Sequence, residues 1–308
     1  VDTTLTQEAP VPQGDAPAVA RRRIRLALRQ ARERKELTLN QVAEAIGASI
    51  SKIIRIEQGG VTVSRGDLQL LLDLYGVDDP AARAALVADV RIARSRPPEW
   101  SDADQWRHIP TALQELIQLE RSATALRVFH PTLIPGLLQT PGYSDALFRS
   151  YAGVLHPKDD AEDAAARDAR RRIRLARPAH VIDRADPPQY YAILDESVLY
   201  RAIGGTAVLA EQLQHLVAMM ERPHVHLRVL PFTAGAPFSL QESFIILELD
   251  HGHDAVLYLE TYTRDSLNED DEKTARYRTS FERAWEVSLD DDASTKLISG
   301  RAQDLLPS

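Results

Sequence analysis

Apolar residues recur at helical spacing through the first third of the chain. Ile24, Leu28 and Ala31 stand at i, i+4 and i+7, which predicts an amphipathic helix ending near Lys35. Thr38 is placed to cap a second helix that buries Leu39, Val42, Ala43 and Ile46 and stops at Gly47. Ser49 is placed to cap a third, with Ile53 and Ile56 facing inward and Gln58-Gly59-Gly60 closing it. Ser64 or Asp67 starts a fourth helix with Leu68, Leu71, Leu72 and Tyr75 on its core side. Asp78-Asp79-Pro80 then opens a fifth, over roughly Ala81 to Arg94.

The consecutive prolines of Arg96-Pro97-Pro98 end this run. Beyond them the pattern predicts helices over Ile109 to Thr124, Tyr143 to Tyr151 and Ala161 to Arg177, with a turn at Ile134-Pro135-Gly136. After Asp186-Pro187-Pro188 the period changes. Gln189–Leu194, Val225–Leu230, Phe244–Leu249 and Ala255–Tyr262 read as strands, among helices at about Thr206–Glu221 and Asp270–Val287. The division expected is a disordered tail over 1–18, an all-α domain of about five helices over 20–95 and a linker over 96–108. A larger α+β domain fills 109–300, with a mostly antiparallel or mixed sheet of about four strands. The octapeptide Ala-Arg-Arg-Arg-Ile-Arg-Leu-Ala occurs at both Ala20–Ala27 and Ala169–Ala176, but the flanks differ and no period recurs, so it reads as coincidence.

Charge changes the picture more than composition does. The net charge of −8 argues against a nucleic-acid binder until its distribution is examined. Between Arg21 and Gly76 eleven Lys and Arg stand against six Asp and Glu, a local +5, so the remainder carries −13. A basic head on an acidic body suits DNA binding coupled to regulation. There is no cysteine, which excludes disulfides and Cys-ligated zinc. No stretch nears the ~18 apolar residues of a membrane span, and no apolar signal core opens the sequence, so the expectation is a cytoplasmic, nucleoid-associated protein.

Two short helices joined by a tight turn over Thr38 to Gly59 make a rigid wedge, in which small Ala43 permits close approach and Gly47 a left-handed turn. The second helix of such a wedge can enter the major groove. Candidate DNA-contacting residues are Thr38, Asn40, Gln41, Ser49, Ile50, Ser51, Lys52, Ile54 and Arg55. Ser-Lys-x-x-Arg-Ile-Glu-x-Gly, at 51–59, resembles the Cro/C1-type (Xre-like) helix-turn-helix regulators, and the resemblance implies a structural role for Glu57. Leu39 and Ile50 depart from it, because polar groups that clamp a phosphate and read a base are common there. Apolar Ile50 can touch a thymine methyl but cannot make the bidentate adenine contact. DNA affinity is then expected to lean on Arg55, Lys52 and an Arg21–Arg25 arm.

Leu119-Glu120-Arg121-Ser122-Ala123 and the run Ile134 to Tyr143 resemble the DUF5753 domain of actinomycete-type regulators. Further matches are Leu194-Asp195-Glu196, Gly204-Gly205 with Gln212-Leu213, Val229-Leu230-Pro231 and Tyr258-Leu259-Glu260. This resemblance implies a regulatory domain and a small DUF397-type protein partner. Glu120, Gln139, Tyr143 and Glu260 are candidate ligand or partner residues, and Thr140 with Pro141 can start a helix. His224 and His226 on one strand face, with His251 and His253, are the only metal-like pattern, and the reading is no metal and no cofactor. Asp195-Glu196 lacks any nucleophile or phosphate-loop companion, so no catalytic residues are assigned and no enzyme is expected. The basic face of Arg167–Arg177 reads as a surface helix. The function expected is a sequence-specific, homodimeric DNA-binding regulator sensing a small molecule or a protein partner. The alternative is an antitoxin-like module that sequesters the DUF397-type partner and autoregulates its operon.

Overall fold

A computed structural model describes residues 17–57, 61–94, 106, 108–151, 161–235, 242–249, 255–260, 265–269 and 271–306. The expected tail up to residue 16, the Gln58–Gly60 turn, the prolines at 97 and 98 and the His251/His253 pair lie outside the described residues. The chain divides into two compact units, Val1–Arg96 and Pro97–Ser308.

In the first unit the described residues form five helices: α1 Pro17–Arg34, α2 Leu39–Ala45, α3 Ile50–Glu57, α4 Arg65–Leu74 and α5 Pro80–Ala93. Their starts follow local chemistry. The Gln41 amide donates to Thr38 Oγ1 and the Thr38 amide donates to Gln41 Oε1, a reciprocal cap on α2. Ser64 caps α4, with the Ser64 hydroxyl also donating to Asp67. Asp79 caps α5, whose first residue is Pro80. Gly47 adopts φ +66° in the α2–α3 turn. Ile24, Leu28, Val42, Ile53, Ile56, Leu68 and Leu72 make one core. The expected Arg21–Arg25 arm belongs to α1 instead: Arg22 is buried, Arg23 forms a two-point ion pair with Asp89 of α5, and Arg21 donates to the Ala93 carbonyl.

The second unit is built on a mixed sheet that has six strands among the described residues, not about four. They are β1 Ala125–His130, β2 Gln189–Asp195, β3 Val225–Leu230, β4 Ser243–Glu248, β5 Ala255–Glu260 and β6 Ser266–Asn268, in the order β3-β2-β1-β4-β5-β6. Strands β1, β2 and β3 run parallel, whereas β4 pairs antiparallel with β1, β5 with β4 and β6 with β5; Val128 is paired to both Ala192 and Ile245. The two unforeseen strands have physical explanations. β1 lies in the middle of the sheet, buried on both faces, and so has no polar alternation; β6 has only three residues.

Helices of this unit among the described residues include α6 Thr111–Glu120, α7 Pro141–Tyr151, α8 Ala161–Val181, α9 Thr206–Met220, α10 Asp271–Val287 and α11 Asp291–Asp304. Helix α6 ends four residues before the expected Thr124, because Thr124 already pairs with Glu248 at the sheet. Helix α8 continues past Arg177 through Pro178. Phe281 and Ala284 of α10 cover one sheet face around Phe129, Ile193, Phe244 and Leu257. Trp106, inside the stretch expected as linker, is buried with Ile109, Ile117 and Ile173. The repeated octapeptide is helical in both places and buries the same two positions, Ala20 with Ile24 and Ala169 with Ile173. At the outer edge of β3, Ser294 accepts from the Val229 amide and the Leu289 amide donates to the Val229 carbonyl, so the edge is occupied at Val229.

Gly204 leads into α9 with φ +79°, and a Cβ there would lie 2.7 Å from the Ala146 Cβ and 3.0 Å from Val208 Cγ1. Backbone strain and the clash act together, so Gly204→Ala is expected to cost about 1–3 kcal/mol. A lowered urea midpoint with unchanged slope would register it; an unchanged midpoint would refute it.

Candidate nucleic-acid interface

Residues Ile53 and Ile56 point α3 into the core, which leaves the opposite side of the helix facing solvent. All nine residues expected at DNA fall on this wedge. Thr38, Asn40, Gln41, Ser49, Ile50, Ser51 and Arg55 are exposed, and Lys52 and Ile54 are half-exposed. Their engagements differ. Thr38 and Gln41 hold each other in the α2 cap, and Ser49 Oγ accepts from the Lys52 amide at 3.2 Å. Lys52 Nζ lies 2.8 Å from Asp67 Oδ1 on α4, so its charge is partnered within the protein. The hydrogen bonds from Lys52 and Ser64 hold the Asp67 carboxyl below its ordinary range. Arg55 is exposed, and among the described residues its side chain makes a long 3.4 Å hydrogen bond from Nε to the Ser51 carbonyl.

What keeps α3 in place was only partly legible. Glu57 receives two hydrogen bonds from Arg32 of α1, Nε–Oε1 at 2.7 Å and Nη2–Oε2 at 3.0 Å, and both side chains are largely buried. Arg32 also donates to the Leu37 carbonyl at 3.0 Å, joining α1, the α1–α2 turn and α3 at one guanidinium. Glu57 therefore faces the fold. The partner Arg32 had no sequence signal beyond being one of many arginines on α1.

In the C-terminal unit the residues gather at the switch point of the sheet, where connections leave β1 toward β2 on one side while β4 occupies the other. A small recess of about 30 Å³ opens there. His130 ends β1, Ser243 begins β4 and Glu260 ends β5, with Leu137 and Ile245 as apolar wall. The Leu133 amide donates to His130 Nδ1 at 3.2 Å, which directs Nε2 toward Glu260 Oε2, 3.7 Å away. Desolvation pushes the Glu260 carboxyl up, but the nearby His130 and the charges of Arg174 and Arg177 outweigh it and bring it down to about 2. Behind them Arg177 grips Glu120 through Nε–Oε2 at 3.1 Å and Nη2–Oε1 at 2.5 Å, the carboxylate being fully buried.

Of the four C-terminal residues singled out, Glu120 and Glu260 line this recess. Tyr143 does not reach a surface: it is completely buried, and the Ile134 amide donates to its hydroxyl at 3.4 Å. Gln139 is buried too, donating to the Ile134 carbonyl at 2.7 Å and accepting from Arg174 at 3.2 Å. Gln212 of α9 locks the same loop, accepting from the Thr140 amide and donating to the Leu138 carbonyl, both at 2.7 Å. The arginines of α8 are divided: Arg172 is exposed and pairs with Asp168 on the surface, whereas Arg171 pairs with Asp145, Arg174 with Gln139 and buried Arg177 with Glu120. His224 bonds the Ile182 carbonyl, whereas His226 stacks on Tyr191 and faces Asp291, so the two do not converge. Asp195 accepts from the Ser197 amide and Glu196 from the Phe232 amide.

A capped two-helix wedge ahead of a mixed α+β unit defines a helix-turn-helix protein with a second, larger domain, and two family models agree. Residues 23–86 match a helix-turn-helix domain and residues 113–300 match the domain of unknown function DUF5753. The chain belongs to the DUF5753 family. No curated protein and no solved structure matches it. Among the described residues no helix is long and apolar enough to cross a membrane.

Proposed function

We propose that this protein is a sequence-specific DNA-binding transcription regulator, not an enzyme, whose C-terminal domain adjusts DNA affinity on binding a small ligand. The observation that carries the reading is the solvent-facing side of α3, with Ser51 and Arg55 exposed on a helix pinned from behind by Arg32–Glu57. A helix held this way presents its N-terminal half to base edges without reordering. The recess at the sheet's switch point supports the sensing role, because ligands of open α/β sheets gather where strand connections diverge. As a homodimer, two such wedges spaced about 34 Å apart would read half-sites one helical turn apart.

The test is enrichment of DNA from a random duplex pool by the full chain, followed by footprinting. A defined motif with two half-sites is the expected result. If no sequence is enriched over several rounds, the reading fails.

A further inference from the structure

The groove-facing side of α3 is chemically divided. Successive residues of a helix turn by about 100°. Ile53 and Ile56 occupy the buried side. On the opposite side Ser51 is central, Arg55 lies on one flank, and Ile50 and Ile54, one turn apart, lie on the other. Ile50 is 44% exposed, although it is a large apolar residue in the first position of the helix. Ile54 is half-exposed. Among the described residues, half-buried Leu39 and Ile46 pack against the helical core, but Ile50 and Ile54 do not. Lys52 lies beyond Arg55 on the opposite flank, where Asp67 of α4 holds it at 2.8 Å.

Two isoleucines one turn apart offer no hydrogen bond to a base edge. In the major groove the one apolar feature of a base pair is the C5-methyl group of thymine. We infer that Ile50 and Ile54 form an apolar strip that reads thymine methyl groups at two neighbouring positions of each half-site, while Arg55 contacts the polar edge alongside. This deepens the DNA-binding reading and rests on it. Specificity at those positions comes from methyl burial, so it discriminates thymine from uracil, which no hydrogen-bonding reader of the same edge would do.

Uracil presents the same hydrogen-bonding groups as thymine and lacks only the methyl. The experiment takes the enriched duplex and replaces each thymine singly by deoxyuridine, measuring the affinity of the unmodified full-length chain. Each of two adjacent replacements is expected to weaken binding about fourfold, the worth of one buried methyl, and replacements elsewhere much less. Ile50→Ala should abolish the uracil penalty at one of the two positions and Ile54→Ala at the other. Because the primary measurement changes only the DNA, it does not depend on any variant folding. A duplex bound equally well with thymine or uracil throughout overturns the inference while leaving DNA binding intact. Failure to enrich any duplex overturns the DNA-binding reading, and this inference falls with it.

Discussion

Replacing Glu120 by alanine is expected to destabilise the C-terminal unit by about 3–5 kcal/mol, the cost of stranding a buried charge. The Glu120 side chain is fully buried and that of Arg177 is 8% exposed, so water cannot take over the lost partner. Desolvation works against the Arg177 charge, and Glu120, by proximity and by hydrogen bonding, more than restores it. The phenols of Tyr190 and Tyr258 border the pair and are themselves pushed up by desolvation, which marks the surroundings as apolar. Native domains keep about 5–15 kcal/mol in all, so the single variant sits near the limit of folding. Joint replacement, Glu120→Leu with Arg177→Met, removes both charges and should recover most of the loss. Trp106 and Trp285 lie in the C-terminal unit and residues 1–96 contain no tryptophan, so tryptophan fluorescence during urea unfolding follows the C-terminal unit. A single variant losing less than about 1 kcal/mol, or a double variant no better than the single, would show the pair to be solvated.

The features legible in the sequence were the local ones. Caps at Thr38, Ser64 and Asp79, the left-handed Gly47 and the inward Ile53 and Ile56 depend on residues within one or two turns, and they stand where the pattern put them. Strand β1 was not legible, because a central strand between two others has no solvated face to leave a polar mark. Side-chain partners were the least accessible. Lys52 meets Asp67 15 residues away, Arg32 meets Glu57 at 25 and Arg177 meets Glu120 at 57. Those distances depend on packing, and packing decides whether a charge is offered outward or used within. The same holds for Tyr143, whose place beside exposed-looking polar neighbours concealed a core position.

That distinction sets the expected behaviour of the DNA contact. Lys52, Arg21 and Arg23 were expected to carry affinity, but Asp67, the Ala93 carbonyl and Asp89 respectively engage them. Arg55 is the exposed cation left on the reading side of α3 among those named. Arg55→Ala is therefore expected to weaken specific binding by about 1–3 kcal/mol and to lower the slope of log affinity against log salt by about 1. Lys52→Ala should change that slope by much less than 1, since a lysine already paired with a carboxylate releases fewer counterions at a phosphate. Its larger effect should fall on stability, through loss of the α3–α4 tie, and even that is modest for a pair 40% and 19% exposed. Affinities of the three proteins for one enriched duplex, measured from about 50 to 200 mM salt, separate the two roles. Equal slopes for the parent and Arg55→Ala would remove Arg55 from the phosphate and base edges. A steeper loss for Lys52→Ala would mean that DNA draws Lys52 away from Asp67, and that the wedge rearranges on binding.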